Sequence, residues 1–273
     1  MKRLLLYVHY NKYDELSGHV LYQLEQLRPL FSKLIVISNS QLTKSATSTL
    51  KETGVDEVIQ RENLGFDFAA WRDGMAHIGF EDLTDYDSVT LMNDTCFGPL
   101  WDISDIVEGF EERPNVDFWG MTNFKKTKYF DEHLQSYFIS FKKHVVDSET
   151  FQQFWTSIKT FTDVQDVIDN YETRVTSVLL EVGYRYDAVF ADRKYKECLS
   201  SSRAGINMTK HELHQKDMVI TPLIYQGQSP YQIITNHPEL DMSVRTLYSQ
   251  LSFICCCLQS PYTDMDKACQ VSC

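Results

Sequence analysis

One polar stretch of the chain carries the residue types of a phosphate-binding turn. It places Asn63, Gly65 and Asp67 between two arginines, Arg61 and Arg72. Glycine lets a ligand approach the backbone closely, and the N-terminus of a following helix offers unpaired N–H groups to an anion. The guanidinium group of an arginine can donate two parallel hydrogen bonds to two oxygens of one phosphate. The alternative is an ordinary turn in which Asp67 caps the helix and the arginines pair with carboxylates.

A second polar segment, Asn93-Asp94-Thr95, directly follows an apolar run at residues 88–92. A carboxylate at the end of a buried strand lies at the sheet edge where α/β proteins bind ligands. Asp94 there can ligate Mg²⁺ or Mn²⁺, which offsets the charge of a departing diphosphate. Asn93 and Thr95 can hydrogen-bond to ribose or sugar hydroxyls. The alternative is a strand-end turn stabilised by its Asn and Asp side chains.

These two segments need a scaffold in which strands alternate with helices. Short apolar runs predict strands at 4–9, 34–37, 57–60, 88–92 and 116–121. Helical patterns predict one helix that begins at His19 and three more over 41–52, 68–78 and 102–112. Such alternation predicts an α/β fold with a mostly parallel sheet and right-handed crossovers. Both polar segments then fall at the carboxyl edge of that sheet.

The second half of the chain predicts further helices and one more strand. The helices cover 148–158, with Ser148 as N-cap, and about 164–182, ended by Gly183. Residues 186–190 return to the sheet.

Three side chains after the fifth predicted strand are candidate contacts for an acceptor, that is, for a second substrate that receives a transferred group. If their segment is extended, His133, Gln135 and Tyr137 share one face, because alternate residues of a strand point the same way. The alternative is a half-buried strand that binds no ligand. His9, at the end of the first predicted strand, is a candidate contact for a nucleotide base.

Composition limits the classes of partner. The chain has 273 residues and a formal net charge of −12. This charge argues against nucleic acid and against strong electrostatic attachment to anionic lipid. Neither a signal peptide nor an apolar run of ~20 residues is visible. The expected location is the cytoplasm, with attachment to the cytoplasmic face of the cell membrane left open.

The cysteines are concentrated at the C-terminus. Five of the seven lie beyond residue 250. An odd count without a secretion signal does not suggest a disulfide framework. Because composition changes abruptly near Leu251, we predict one domain over 1–240 and a peripheral or poorly ordered cysteine-rich tail over 241–273.

Several motifs in order resemble the rhamnan synthesis protein F family. The resemblance covers about residues 1–235 and rests on Val8-His9-Tyr10, Asn63-Leu64-Gly65-Phe66-Asp67, the run from Leu91 to Leu100, Phe118-Trp119-Gly120, Leu134-Gln135-Ser136-Tyr137-Phe138 and Tyr171-Glu172. Members of that family are rhamnosyltransferases of bacterial cell-wall polysaccharide synthesis. The resemblance implies dTDP-L-rhamnose as donor, a growing lipid-linked saccharide as acceptor, and inversion at the anomeric carbon.

A looser resemblance is to family-2 glycosyltransferases of the GT-A fold. That family ends a strand in Asp-x-Asp, which holds a divalent metal, whereas this chain has Asn93-Asp94-Thr95. A divalent cation, Mg²⁺ or Mn²⁺, is therefore an open expectation, with Asp94 as its ligand. The family also places its catalytic base in an acidic pair before a Gly-Tyr-Arg-like strand entry. The matching position is Glu172, with Asp169 as the nearest competitor.

Two other functions share parts of this pattern. A nucleotidyltransferase also uses a strand-end carboxylate, but it needs a Gly- and Lys-rich loop near the first strand, and residues 9–17 have one Lys and no Gly. A non-catalytic subunit that binds saccharide or partner transferases is the other alternative, because the Asp-x-Asp motif is altered. Turnover of dTDP-L-rhamnose distinguishes such a subunit from an enzyme, because a binding subunit would neither hydrolyse nor transfer it. The sequence does not predict an oligomeric state.

Overall fold

The computed structural model describes residues 1–96, 98–99, 102–128 and 130–190. The chain divides into two compact units: Met1–Asp94 with Ile103–Tyr195, and Thr95–Asp102 with Lys196–Cys273. All described helices and strands belong to the first unit. The predicted domain boundary at residue 240 and the predicted tail over 241–273 lie outside the described residues.

The described residues form eight strands and eight α-helices in largely alternating order. The strands are β1 (Arg3–His9), β2 (Lys33–Ser38), β3 (Glu57–Gln60), β4 (Ser88–Asn93), β5 (Phe118–Phe124), β6 (His133–Leu134), β7 (Phe138–Lys142) and β8 (Tyr186–Phe190). The helices are α1 (Gly18–Leu27), α2 (Lys44–Glu52), α3 (Phe66–Ile78), α4 (Ser104–Glu112), α5 (Lys143–Val146), α6 (Glu149–Thr156), α7 (Val164–Val167) and α8 (Thr173–Glu181).

One mixed sheet organises these elements. Its strand order is β3-β2-β1-β4-β7-β5-β6, and β8 pairs with β5. Strands β1 to β4 pair in parallel, β7 is antiparallel to both β4 and β5, and β8 is parallel to β5. The predicted α/β class, with a mostly parallel central sheet flanked by helices, is confirmed.

Strand β7 is the main difference from the predicted order. The stretch 133–138 is not one continuous strand, because its backbone groups bond to two different neighbours. The Gln135 N–H donates to the Thr122 carbonyl on β5, whereas the Tyr137 carbonyl accepts from Asn93 N–H at the end of β4. The chain therefore leaves the short β6 and enters the sheet again as β7, between β4 and β5.

Helices cover both faces of the sheet. On one face, alternate residues of β1 such as Leu4 and Leu6 join a core formed with α3, α6 and α8. The Trp71 Nε1–H of α3 lies 3.2 Å from the Leu6 carbonyl oxygen and 3.3 Å from that of Met92. On the other face, the Tyr7 hydroxyl donates to Gln23 of α1 over 2.6 Å. Helix α3 is thereby fixed against β1 and β4, with its N-terminus facing the predicted site.

A buried carboxylate joins β5 to the entry of β8. Asp117 accepts hydrogen bonds from the Arg185 backbone N–H at 2.7 Å and from His144 Nε2 at 2.9 Å. Burial acts to raise the pKa of Asp117, but these hydrogen bonds and the Arg185 side chain outweigh it and hold the pKa below its usual value. Because the folded pKa is the lower one, the stabilisation is full above about pH 4 and is lost as the pH falls further.

We therefore expect Asp117→Asn to lower the free energy of unfolding at pH 7 by about 1–3 kcal/mol. Urea denaturation of both proteins at pH 7 and at pH 3 measures this difference, which should shrink at the lower pH. The matched control is Asp131→Asn, because Asp131 forms an exposed pair with Lys126 at 2.7 Å. Such a pair contributes little in water, so the control should unfold like the wild type. A difference that is equally large at both pH values would contradict the assignment.

Candidate functional site

The ends of four parallel strands bring the predicted residues to one edge of the sheet. His9, Gln60 and Asn93 are the last residues of β1, β3 and β4. Strand β7 runs the other way, so its first residue, Phe138, lies at the same edge and pairs with Met92. The segment before β7 therefore reaches the carboxyl edge, where α/β proteins bind ligands.

The turn before α3 requires its glycine. Gly65 is the N-cap of α3, with φ of 73°, and a Cβ added to it would lie 2.6 Å from the Ala69 Cβ. The next residue, Phe66, also has a positive φ, 52°. Glycine adopts this conformation without strain, whereas a left-handed phenylalanine is strained, and strain of this kind concentrates at functional sites. The Gly65 N–H donates to the Phe161 carbonyl at 2.8 Å, so this N–H is used within the protein.

Both predicted arginines bind groups of the protein itself. The guanidinium of Arg61 contacts Asp73, Asn39 and the Leu64 carbonyl over 2.9, 2.7 and 2.7 Å. Arg61 thus ties the turn to α3 and to the residue after β2.

Arg72 makes similar contacts. Its guanidinium donates to Asp73 Oδ1 at 2.6 Å and to the Ile158 carbonyl at 2.6 Å. Both arginines therefore pair with the Asp73 carboxylate, as in the alternative to a phosphate-binding role. Binding of a diphosphate by Arg72 stays a prediction.

Two carboxylates and an amide meet at the centre of the edge. Asp67 lies in the first turn of α3, and its Oδ2 accepts from Asn93 Nδ2 at 2.7 Å. Asp94 Oδ2 accepts from the Tyr10 backbone N–H at 2.9 Å. Asp67 does not cap the helix, because Gly65 is the N-cap. The Asp67 side chain instead links α3 to the end of β4.

The environment of these carboxylates disfavours their charge. Burial raises the pKa of Asp94 to about 7, and the Asp67 charge adds to the rise. The hydrogen bond from the Tyr10 N–H lowers the pKa but does not outweigh burial. Burial also raises the pKa of Asp67 to about 6, and the Glu172 charge raises it further. The hydrogen bond from Asn93 lowers this pKa but does not outweigh burial. Strongly perturbed carboxylates at a sheet edge are typical of functional sites.

Two histidines support the same edge. His9 has no exposed surface, and its Nδ1 lies 3.1 Å from Ser38 Oγ. His19, in the first turn of α1, hydrogen-bonds to the Asp94 backbone. Burial lowers the pKa of His19, and lowers that of His9 to about 4. Both side chains are therefore neutral at pH 7, and contact of His9 with a nucleotide base is untested.

Glu172 is the last residue of a π-helical segment, Ile168–Glu172, between α7 and α8. The sequence predicted one continuous helix over about 164–182. The structure has a π-helical turn within this range, and a π-helical turn holds more residues than an α-helical turn. Such turns are frequent at functional sites. The Glu172 side chain is half-buried, and its Oε1 accepts from the Ser136 hydroxyl at 2.8 Å and from the Ser136 N–H at 3.3 Å.

Asp169, the competitor for the role of Glu172, lies on the surface. Its Oδ1 accepts from Gln165 Nε2 at 2.7 Å in an exposed pair one helical turn apart. Of these two carboxylates, Glu172 is the one whose charge acts on Asp67.

The three predicted acceptor-side residues surround the end of β5. The His133 ring stacks on Phe124 with centroids 5.1 Å apart. Gln135 Oε1 and the Tyr137 hydroxyl both lie within hydrogen-bonding distance of Thr122 Oγ1, at 2.6 and 3.1 Å. His133 and Tyr137 are almost fully buried. Their binding of an acceptor stays a prediction.

Two predicted residues remain, Asn63 and Thr95. Asn63 is half-buried in the turn before Gly65. Thr95 follows Asp94 in the chain and begins the second compact unit. Donor binding by either residue is untested.

Sequence reasoning missed two residues of this edge, His19 and Ser136. His19 falls inside a helical pattern, where a lone histidine carries no signal. Ser136 stands within Leu134-Gln135-Ser136-Tyr137-Phe138, a motif already noted for its resemblance. Its position between two candidate acceptor residues was the available signal.

The carboxylates fit a divalent cation only in part. Within the described ranges, no group of three or more His, Cys, Asp or Glu side chains converges to hold a metal ion. Asp67 and Asp94 can supply two hard oxygen ligands. Mg²⁺ commonly binds one or two carboxylates and completes its shell with water and substrate phosphates.

Fold and site together define an α/β protein with a polar, carboxylate-containing site at the carboxyl edge of its sheet. The chain belongs to the rhamnan synthesis protein F family, whose model matches residues 34–220, more than half of the chain. The resemblance inferred from the motifs is thereby confirmed.

Two curated relatives are similar over part of their length. The chain is 29% identical to the uncharacterized protein y4gN of Sinorhizobium fredii over 170 residues, which is 61% of this chain and 44% of that protein. It is 31% identical to the virulence protein VirA of Vibrio anguillarum over 120 residues, 43% of this chain and 36% of that protein. The chain thus spans less than half the length of these relatives.

Two solved structures are distantly similar. Glucosyl-3-phosphoglycerate synthase from Mycobacterium tuberculosis, in complex with phosphoglyceric acid, has a TM-score of 0.34 and 12% identity over 53% of this chain and 57% of that one. Mouse xyloside xylosyltransferase 1 has a TM-score of 0.38 and 11% identity over 68% and 84%.

Among the residues that the structure describes, no helix combines the length and the apolar character needed to cross a membrane.

Proposed function

We propose that this chain is an inverting glycosyltransferase of GT-A type that moves L-rhamnose from dTDP-L-rhamnose to a hydroxyl of a growing, lipid-linked saccharide. Membership of the rhamnan synthesis protein F family supports the sugar and the polysaccharide. The observation that carries the chemistry is that Ser136 donates to Glu172 while the next residue, Tyr137, accepts from the Asn93 N–H beside Asp94. A candidate donor site and a candidate base are therefore adjacent.

Glu172 is the general base in this proposal. The acceptor oxygen attacks the anomeric carbon and its proton passes to the Glu172 carboxylate. The anomeric C–O bond breaks at the same time, and its electron pair leaves on the diphosphate oxygen of dTDP. One base suffices for a single displacement with inversion, and general-base assistance contributes typically 10²–10⁴-fold.

Asp94 and Asp67 occupy the place where diphosphate charge develops. With Asn93-Asp94-Thr95 instead of Asp-x-Asp, Asp94 is the acidic residue of the motif, and Asp67 of α3 supplies a second carboxylate nearby. A divalent cation held by these two residues would neutralise the departing diphosphate. Such a cation would also remove the repulsion between the two carboxylates.

A thermal-shift panel with dTDP, UDP and GDP, each with and without Mn²⁺, tests donor binding. Ligand at 100 times its Kd stabilises the folded state by about 2.7 kcal/mol, which raises the melting temperature by roughly 5 °C or more. We expect dTDP to give the largest shift and Mn²⁺ to increase it. Equal, negligible shifts for all three nucleotides would contradict the donor assignment.

Turnover separates the enzyme from the non-catalytic alternative. Release of dTDP from dTDP-L-rhamnose, with octyl α-L-rhamnoside as acceptor, is the expected activity. Donor binding without any release of dTDP would identify a saccharide- or partner-binding subunit instead.

A further inference from the structure

Ser136 donates two hydrogen bonds to the Glu172 carboxylate. The hydroxyl and the backbone N–H of one residue both donate to the same carboxylate oxygen, Glu172 Oε1, over 2.8 and 3.3 Å. The two residues are 36 positions apart in the chain. Hydrogen bonds to a charged group are the stronger ones, so this pair restricts the rotamer of Glu172.

The segment that carries Ser136 is itself held on both sides. The Leu134 N–H donates to Thr176 Oγ1 at 3.0 Å, one helical turn beyond Glu172. The Tyr137 carbonyl accepts from the Asn93 N–H at 3.3 Å, next to Asp94. Ser136 therefore lies on a short segment that is hydrogen-bonded at one end to the helix after Glu172 and at the other end to the end of β4, beside Asp94. Movement of Glu172 relative to β4 would have to break these contacts.

We propose that Ser136 is a positioning residue for Glu172: it holds Oε1, and the other carboxylate oxygen, Oε2, receives the proton of the acceptor hydroxyl. This inference rests on the proposed function. The acceptor O–H bond breaks as the proton forms a bond to Oε2, and the acceptor oxygen bonds to the anomeric carbon as the bond from that carbon to the diphosphate oxygen breaks and dTDP leaves with the electron pair. Ser136 itself exchanges no proton. Since Ser136 is almost fully buried, its hydroxyl acts through Glu172 and not by binding the sugar.

The test measures dTDP release with dTDP-L-rhamnose and octyl α-L-rhamnoside, using the full chain. Ser136→Ala should lower kcat by roughly 10- to 100-fold, the size of one lost hydrogen bond to a charged group, and leave the KM for the donor unchanged. Ser136→Thr restores the hydroxyl and should recover most of kcat. The matched control is Ser177→Ala, since the Ser177 hydroxyl donates to the Arg174 carbonyl of its own helix, at 3.0 Å.

A double-mutant cycle provides a readout that a merely structural role would not give. If Ser136 acts through Glu172, then Ser136→Ala should cause no further loss in kcat when Glu172 is already glutamine and unable to accept the proton. An equal further loss in that background overturns the inference, as does a Ser136→Ala enzyme with wild-type kcat. If the wild type releases no dTDP, the proposed function fails and this inference with it. Wild-type turnover with an unaffected Ser136→Ala variant overturns this inference alone.

Discussion

Replacing Glu172 with glutamine is expected to lower kcat for rhamnosyl transfer by about 10³-fold while the donor still binds. Glutamine keeps an oxygen that can accept both hydrogen bonds from Ser136, so the local structure is retained. It cannot take up a proton at neutral pH. A base acts mainly in the transition state, and its removal therefore affects turnover more than ground-state binding.

The control for this change lies three residues earlier. Asp169→Asn removes a carboxylate from the same π segment but can keep the exposed hydrogen bond with Gln165. We expect wild-type turnover from it. Steady-state kinetics of both variants, with donor affinity measured by calorimetry, decide the matter. Loss of turnover in Asp169→Asn with normal Glu172→Gln would assign the base to Asp169.

Asp94→Asn is expected to reduce transfer on the order of 10²-fold or more, because the variant would lose a ligand for the divalent cation that would offset the charge of the departing diphosphate. Asparagine retains an oxygen for the Tyr10 N–H. The change removes the repulsion between Asp94 and Asp67, so the variant should be at least as stable as the wild type at pH 8. A catalytic carboxylate behaves in this way, whereas loss of a structural one such as Asp117 lowers stability.

Asp87→Asn is the matched control for Asp94→Asn. Asp87 precedes β4 and accepts from the Lys2 backbone N–H at 2.5 Å, so it makes a similar bond at the opposite end of the strand. Binding of Mn²⁺, followed by electron paramagnetic resonance of the free ion, shows whether Asp94 also holds metal. We expect weaker Mn²⁺ binding in Asp94→Asn and none of these effects in Asp87→Asn. Full activity of Asp94→Asn would remove Asp94 from the mechanism.

Most of the scaffold follows from local sequence patterns. Strands β1 to β4 and helices α2 and α3 were predicted with boundaries that lie within three residues of the observed ones, because their apolar periodicity reflects burial directly. Ser148 was correctly predicted as an N-cap, and its Oγ accepts from the Phe151 N–H at 3.2 Å. Strand β7 was not predicted, because only its pairing with distant β4 and β5 distinguishes it from the preceding residues.

The site could be predicted in its location but not in its internal contacts. Asp67, Asn93 and Asp94 were chosen because they follow strands or open a helix, and the structure brings them together. The partners of Arg61 and Arg72 were left open by the sequence. An arginine side chain is long enough to reach several acceptors, so its choice of Asp73 depends on how α3 packs against the turn.

The sequence by itself determined the class of fold, the family and the edge of the sheet at which polar residues collect. These depend on periodicity, on strand ends and on ordered motifs, all of which are local along the chain. The tertiary structure alone decided that Asp67 contacts Asn93, that His19 supports Asp94 and that Ser136 holds Glu172. Those contacts join residues that are 26 to 75 positions apart by their numbers, and only packing of helices on the sheet brings such residues within hydrogen-bonding distance.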